Sequence, residues 1–120
     1  MEVLKEQVQK ILSDYSVTSF NGDGVDVEWW SPAGEDVCLS LPGKTLRELA
    51  NFAKLEYLSF DPDDHAAQIY HAKHYGSADQ QNFYAGALSR LQDLVEDAEA
   101  INTFYKDVWE KLEDAASATP

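Results

Sequence analysis

The sequence predicts an α+β fold, in which a three-stranded antiparallel β-meander is preceded by one helix and covered on one face by C-terminal helices. Three observations support this. A helical period runs from Leu88 to Leu112, apolar residues alternate with polar ones between residues 25 and 41, and helix-start signals occur at Thr45 and Asp61. A period of about 3.6 is typical of an amphipathic helix, and a period of two is typical of a strand with one buried face.

Residues 1–14 predict the first helix. Their apolar residues recur at helical spacing and leave charged residues on the opposite face. This predicted stripe consists of Val3, Leu4, Val8, Ile11 and Leu12.

Residues 15–41 predict the meander. A hairpin loop is expected at Asn21–Gly24, because its glycines can adopt positive φ. The second strand is predicted to bury Val25, Val27 and Trp29, and the third to bury Val37, Leu39 and Leu41. Ser31–Gly34 separates these strands, since proline cannot donate to a sheet hydrogen bond.

Residues 45–116 predict the helical part. Thr45 and Glu48 match a capping box for the second helix. We expect its buried side to contain Leu46, Leu49, Phe52, Ala53 and either Leu55 or Tyr57. A third helix is predicted from Asp61 as cap and Pro62 as first residue to a stop at Tyr75-Gly76. One short helical turn is expected between Ser77 and Gly86.

The C-terminal helix is predicted to bury one apolar seam and to expose an acidic side. The seam consists of Leu91, Leu94, Ala98, Ile101, Tyr105, Val108 and Leu112. The acidic side contains Asp93, Glu96, Asp97, Glu99, Asp107, Glu110, Glu113 and Asp114. The sheet is predicted to be the partner of the seam.

Length and composition limit the function classes. A chain of 120 residues predicts one domain, and a content of 44% hydrophobic residues predicts that it folds despite a net charge of −13. We expect no cofactor, and the sequence contains no glycine-rich phosphate loop. We expect no membrane binding and no direct nucleic-acid binding, because 22 acidic residues oppose 9 basic ones. A basic or neutral protein surface is the expected partner. One cysteine and no export signal predict a cytoplasmic location.

Trp30 and the acidic clusters are the candidate binding residues. If Trp29 faces the core, Trp30 faces outward, where it is either covered by another element or free to anchor a partner. The candidate protein-binding residues are Trp30, Asp26, Glu28, Asp93, Glu96, Asp97 and Glu99.

The chemically richest alternative is a metal site. Carboxylates and imidazoles can ligate zinc or manganese, and the candidate ligands are Asp64, His65, His71 and His74. Their spacing lacks a His-x-x-x-His pair, and capping already explains the aspartates. Cys38 lies on the outward side of a strand without a basic neighbour in sequence, so a plain strand cysteine is predicted there.

Three sequence blocks, in the order of the chain, are Glu28–Asp36, Phe60–His65 and Leu94–Ile101. Together they resemble a group of small acidic proteins encoded on phages and integrative mobile elements of gut Firmicutes. The resemblance implies a mobile-element setting and supplies no catalytic residues. It raises the expectation of an accessory or host-defence role.

Three functions follow as hypotheses. The first is a non-enzymatic acidic protein-interaction domain that inhibits a host nucleic-acid-acting protein by DNA mimicry. The second is a metal-dependent hydrolase that uses the Asp/His cluster between residues 61 and 74. The third is a homo-oligomerisation module in which part of the C-terminal seam pairs with a second copy.

Overall fold

The structure, a computed structural model, describes residues 2–19 and 23–118. The predicted α+β architecture is confirmed. The elements follow in the order α1 (Glu2–Ile11), β1 (Ser16–Ser19), β2 (Val25–Trp30), β3 (Asp36–Leu41), α2 (Leu46–Ser59), α3 (Pro62–Tyr75), α4 (Ala78–Phe83) and α5 (Leu91–Ala118). Within these residues, no helix is both long enough and apolar enough to cross a membrane.

The sheet is an antiparallel meander in the order β1-β2-β3. Val27 lies opposite Val17 on one side and opposite Leu39 on the other, and all three are buried. Because paired residues of antiparallel strands face the same side, the predicted alternation places one apolar face inward. The strands therefore have the predicted phase.

Gly24 occupies a backbone position that other residues rarely adopt. Its φ is +107°, and a Cβ there would meet the carbonyl oxygen of Leu41. Glycine alone combines this φ with such a close approach. The predicted hairpin loop includes Asn21 and Gly22, which lie outside the described residues.

Two hydrophobic clusters share the long helix α5. The C-terminal half of α5 contributes Phe104, Val108 and Leu112 to a core with α1, α2 and the inner face of the sheet. The N-terminal half contributes Leu94 and Ala98 to a second cluster with α3. Only part of the C-terminal region therefore covers the sheet, while α3 packs on α5.

The predicted seam of α5 is partly wrong. Leu91 is 43% exposed, whereas Phe104, which the seam omitted, is 2% exposed. Asp97 was placed on the acidic side and is instead buried at 2% exposure. The helix also continues to Ala118. The other seam residues are buried or half-buried within the chain.

The buried stripe of α2 agrees with the prediction at Leu46, Leu49 and Ala53. Of the two alternatives given for its end, Tyr57 is half-buried and Leu55 is 62% exposed. The prediction is wrong at Phe52, which is 40% exposed, and it omitted Ala50, which is fully buried.

The helix starts were predicted well because their signals are local. The Asp61 side chain accepts the backbone N–H groups of Asp63 and Asp64, and Pro62 begins α3. Thr45 caps α2 by accepting the Glu48 N–H, but the Glu48 carboxylate contacts the Thr45 hydroxyl and not its backbone N–H. The full capping box lies instead at Ser77 and Gln80, at the start of α4.

Candidate functional site: an acidic sheet face beside an aromatic pocket

The outer face of the sheet carries carboxylates and one exposed tryptophan. Asp26, Glu28 and Trp30 alternate along β2 on the side opposite the buried valines. Trp30 lies opposite Asp36 of β3, and Glu28 lies opposite Cys38. We call the surface formed by Asp26, Glu28, Trp30 and Asp36 the acidic sheet face.

The sequence left open whether Trp30 is covered by another element or exposed, and the structure shows that it is exposed. Its residue exposure is 68%, so no helix or loop of the described chain covers it. The remaining outward residues in register on this face are Ser16, Thr18, Cys38 and Ser40. None of the described residues of the face is basic, and its three carboxylates therefore lack a local counter-charge.

The acidic surroundings also affect Cys38. Burial, reinforced by the charges of Asp26, Glu28 and Asp36, raises the pKa of the Cys38 thiol. A raised pKa keeps the thiol protonated and weakens it as a nucleophile. The structure thus agrees with the prediction of an ordinary strand cysteine.

An aromatic pocket of about 840 Å³ adjoins the acidic sheet face. It lies between the β2–β3 turn, α3, the α4 region and the middle of α5. Trp30 and Asp36 belong to both surfaces. Six ring side chains line the pocket, namely Trp30, Phe60, His65, Phe83, Tyr84 and Tyr105.

Glu35 and His65 face each other in this pocket. Glu35 Oε2 lies 3.8 Å from His65 Nε2, which is longer than a hydrogen bond. Both atoms are buried, and neither has a hydrogen-bond partner among the described residues. Because a buried polar atom without a partner is costly, a ligand donor that reaches the Glu35 carboxylate would be stabilised there.

Asp97 of α5 holds the β2–β3 turn by a hydrogen bond to its backbone. Its Oδ1 accepts the Ala33 backbone N–H at 2.8 Å. Within the turn, the Ser31 hydroxyl accepts the Glu35 N–H at 3.0 Å. Asp97 therefore fixes the position of the segment that carries Glu35.

The two carboxyl groups differ in protonation. Burial, together with the adjacent Glu35, raises the pKa of the Asp97 carboxyl. His65, with a further contribution from Asp97, lowers the pKa of the Glu35 carboxyl against the opposing effect of burial. Of the two carboxyl groups, Glu35 therefore loses its proton more readily and Asp97 retains its proton more readily.

The seven candidate binding residues do not form one patch. Asp26, Glu28 and Trp30 lie on the acidic sheet face, whereas α5 packs on the opposite face of the sheet. Glu96 and Glu99 are exposed on α5, and Asp93 forms a bidentate ion pair with Arg90. Asp97 is wrong as a surface residue, since it is buried against the turn.

The four candidate metal ligands are dispersed. Asp64 accepts a hydrogen bond from Gln68, and His65 packs on Phe60. His71 packs on Tyr75, and His74 packs on Tyr70. Among the described residues, no group of three or more His, Cys, Asp or Glu side chains is placed to hold a metal ion.

Most of the pocket was not predicted from the sequence. Glu35 was assigned no role, and Tyr105 was predicted in the apolar seam, although it is half-buried and lines the pocket. Contacts that link the β2–β3 turn to α3 and α5 have no short-range signal. Comparison of the chain with protein-family models, with curated proteins and with solved structures finds no match.

Proposed function

We propose that this protein is a non-enzymatic protein-interaction domain that binds a basic protein surface through the acidic sheet face. The exposed Trp30 among three carboxylates is the observation that carries the proposal. Tryptophan is enriched at interface hot spots, and complementary charge increases the association rate and selects the partner.

The distribution of ion pairs favours this face over α5. Four acids of α5 are engaged, in the pairs Arg90–Asp93, Lys106–Glu110, Lys111–Asp107 and Arg47–Glu113. Among the described residues, no ion pair involves Asp26, Glu28 or Asp36. The acidic sheet face thus carries two half-buried carboxylates, Asp26 and Glu28, and one exposed carboxylate, Asp36, that a partner's lysines and arginines would neutralise.

The mobile-element resemblance suggests the class of partner. We propose that the basic surface belongs to a host protein that acts on nucleic acid, and that the carboxylates of the acidic sheet face occupy the positions of DNA phosphates. A surface that replaces phosphates must be rich in carboxylates and free of nearby bases, because a basic neighbour would weaken its attraction to lysine and arginine. The acidic sheet face meets both requirements in its described residues.

The first prediction tests the acidic sheet face directly. The protein is used to capture partners from a bacterial lysate at low salt, and an identified partner is purified for calorimetric titration. We expect Trp30→Ala to weaken binding about tenfold or more. The double variant Asp26→Asn/Glu28→Gln should weaken binding by a similar factor at low salt, with a smaller effect at high salt because salt screens exposed charges.

A matched control separates this face from general acidity. The double variant Glu6→Gln/Asp114→Asn also removes two negative charges, but from exposed positions on α1 and α5. It should bind within about twofold of wild type, since distant exposed charges are largely screened. Equal binding by all three variants, or capture of no specific protein, contradicts the proposal. If the partner is bound but duplex DNA does not compete with it, the interaction stands and the DNA-mimicry part is excluded.

A further inference from the structure

We propose that the aromatic pocket beside the acidic sheet face receives an arginine side chain of the basic partner. The proposal rests on the proposed function and adds a specific recognition element to it. The pocket walls, its charge and its unpaired carboxylate oxygen each point to a guanidinium group.

The walls of the pocket suit a flat cation. Trp30, Phe83, Tyr84 and Tyr105 present aromatic rings from three different parts of the chain. A guanidinium group stacks on such rings through cation–π attraction, and its planar shape allows rings on both sides. The volume of about 840 Å³ holds an arginine side chain and adjoining atoms of its peptide.

The charge of the pocket selects a cation over an anion. Glu35 and Asp36 both line it, and among its described lining residues there is no lysine or arginine. A phosphate or carboxylate ligand would meet only repulsion from these two carboxylates. A cation would be attracted by both.

The unpaired carboxylate oxygen selects arginine among cations. Glu35 Oε2 has no hydrogen-bond partner among the described residues, and Glu35 lines the pocket. One guanidinium group carries five N–H donors in a planar fork that matches the two oxygens of a carboxylate such as Glu35. A lysine ammonium is a strongly hydrated point charge that neither stacks as a plane nor forms a bidentate contact.

The test uses three short peptides and the intact protein. Acetyl-Gly-Arg-Gly-amide, its lysine analogue and its citrulline analogue are titrated into the protein and followed by two-dimensional NMR. Citrulline has the shape of arginine without its charge. We expect the arginine peptide to shift the Trp30 indole and Ala33 amide signals and to bind about tenfold more tightly than either analogue.

Two variants locate the peptide. Glu35→Gln should weaken binding of the arginine peptide about tenfold, because it removes the charged acceptor. Phe83→Ala should weaken it severalfold through lost stacking. Phe83 is 79% exposed, so this variant is expected to fold. Glu6→Gln, at an exposed position of α1 outside the pocket lining, should bind the arginine peptide within about twofold of wild type.

The outcomes separate this inference from the proposed function. Equal shifts by the arginine and citrulline peptides, or shifts that avoid the pocket, overturn the arginine assignment. If Glu35→Gln leaves partner affinity unchanged while Asp26→Asn/Glu28→Gln weakens it, the acidic sheet face is retained and the arginine pocket is rejected. If the arginine peptide binds the pocket but partner affinity does not depend on the acidic sheet face, the pocket stands and the proposed function fails.

Discussion

Replacement of Phe104 by alanine is expected to lower the free energy of unfolding by about 3–5 kcal/mol, the range for loss of a large buried aromatic side chain. Phe104 is 2% exposed at the point where α5 meets the inner face of the sheet. Its ring stacks on Trp29 at 5.2 Å and meets the edge of Tyr15 at 5.0 Å. Alanine would leave a cavity between the helix and two other elements, which rigid strands cannot easily fill.

The prediction is checked by denaturant unfolding of Phe104→Ala beside three comparison variants. Phe104→Leu keeps most of the volume and should cost less than about 1.5 kcal/mol. Leu94→Ala, in the second cluster, should cost about 2–5 kcal/mol, and Glu99→Ala on the exposed side should change stability by less than about 0.5 kcal/mol. A Phe104→Ala variant as stable as Glu99→Ala would show that this face of α5 does not pack on the sheet.

The elements that sequence patterns predicted correctly depend on local chemistry. The alternation of Val25, Val27 and Trp29 reflects the two sides of one strand, and the Asp61-Pro62 cap satisfies backbone groups within one turn. Neither requires knowledge of a distant residue. These features could therefore be derived from the sequence alone.

The errors arose where distant contacts decide burial. Helical spacing gave the period of α5 but did not identify which neighbour covers each turn, so the predicted seam included the exposed Leu91 and omitted the buried Phe104. The buried Asp97 carboxylate accepts the backbone N–H of Ala33, which lies 64 positions away in the sequence. The Glu35–His65 approach similarly joins a turn to α3. A candidate site built from such contacts has no periodic signal.

Replacement of Asp97 by alanine is expected to lower the free energy of unfolding by about 1–3 kcal/mol, the cost of leaving a buried donor without its acceptor. The lost bond joins Asp97 Oδ1 to the Ala33 N–H. Asp97→Asn supplies an amide oxygen for the same N–H and carries no charge. At neutral pH, Asp97→Asn should therefore be at least as stable as wild type in denaturant unfolding. Equal destabilisation by both variants would show that the carboxylate charge is required.

The stability difference between Asp97→Asn and wild type should depend on pH in a defined direction. Because burial raises the pKa of Asp97 above its ordinary value of 3.8, the folded protein binds more protons than the unfolded chain above that pH. The contribution of Asp97 is fully present below pH 3.8 and is lost as the pH rises through the folded pKa. The stability of Asp97→Asn relative to wild type should accordingly increase over this interval and then level off.

Glu35 acts in the opposite direction. Its pKa is lowered from the ordinary value of 4.5, so its contribution to stability is fully present above pH 4.5 and is lost as the pH falls through the folded pKa. A constant difference between Asp97→Asn and wild type from acid to neutral pH would contradict the assignment of the retained proton to Asp97.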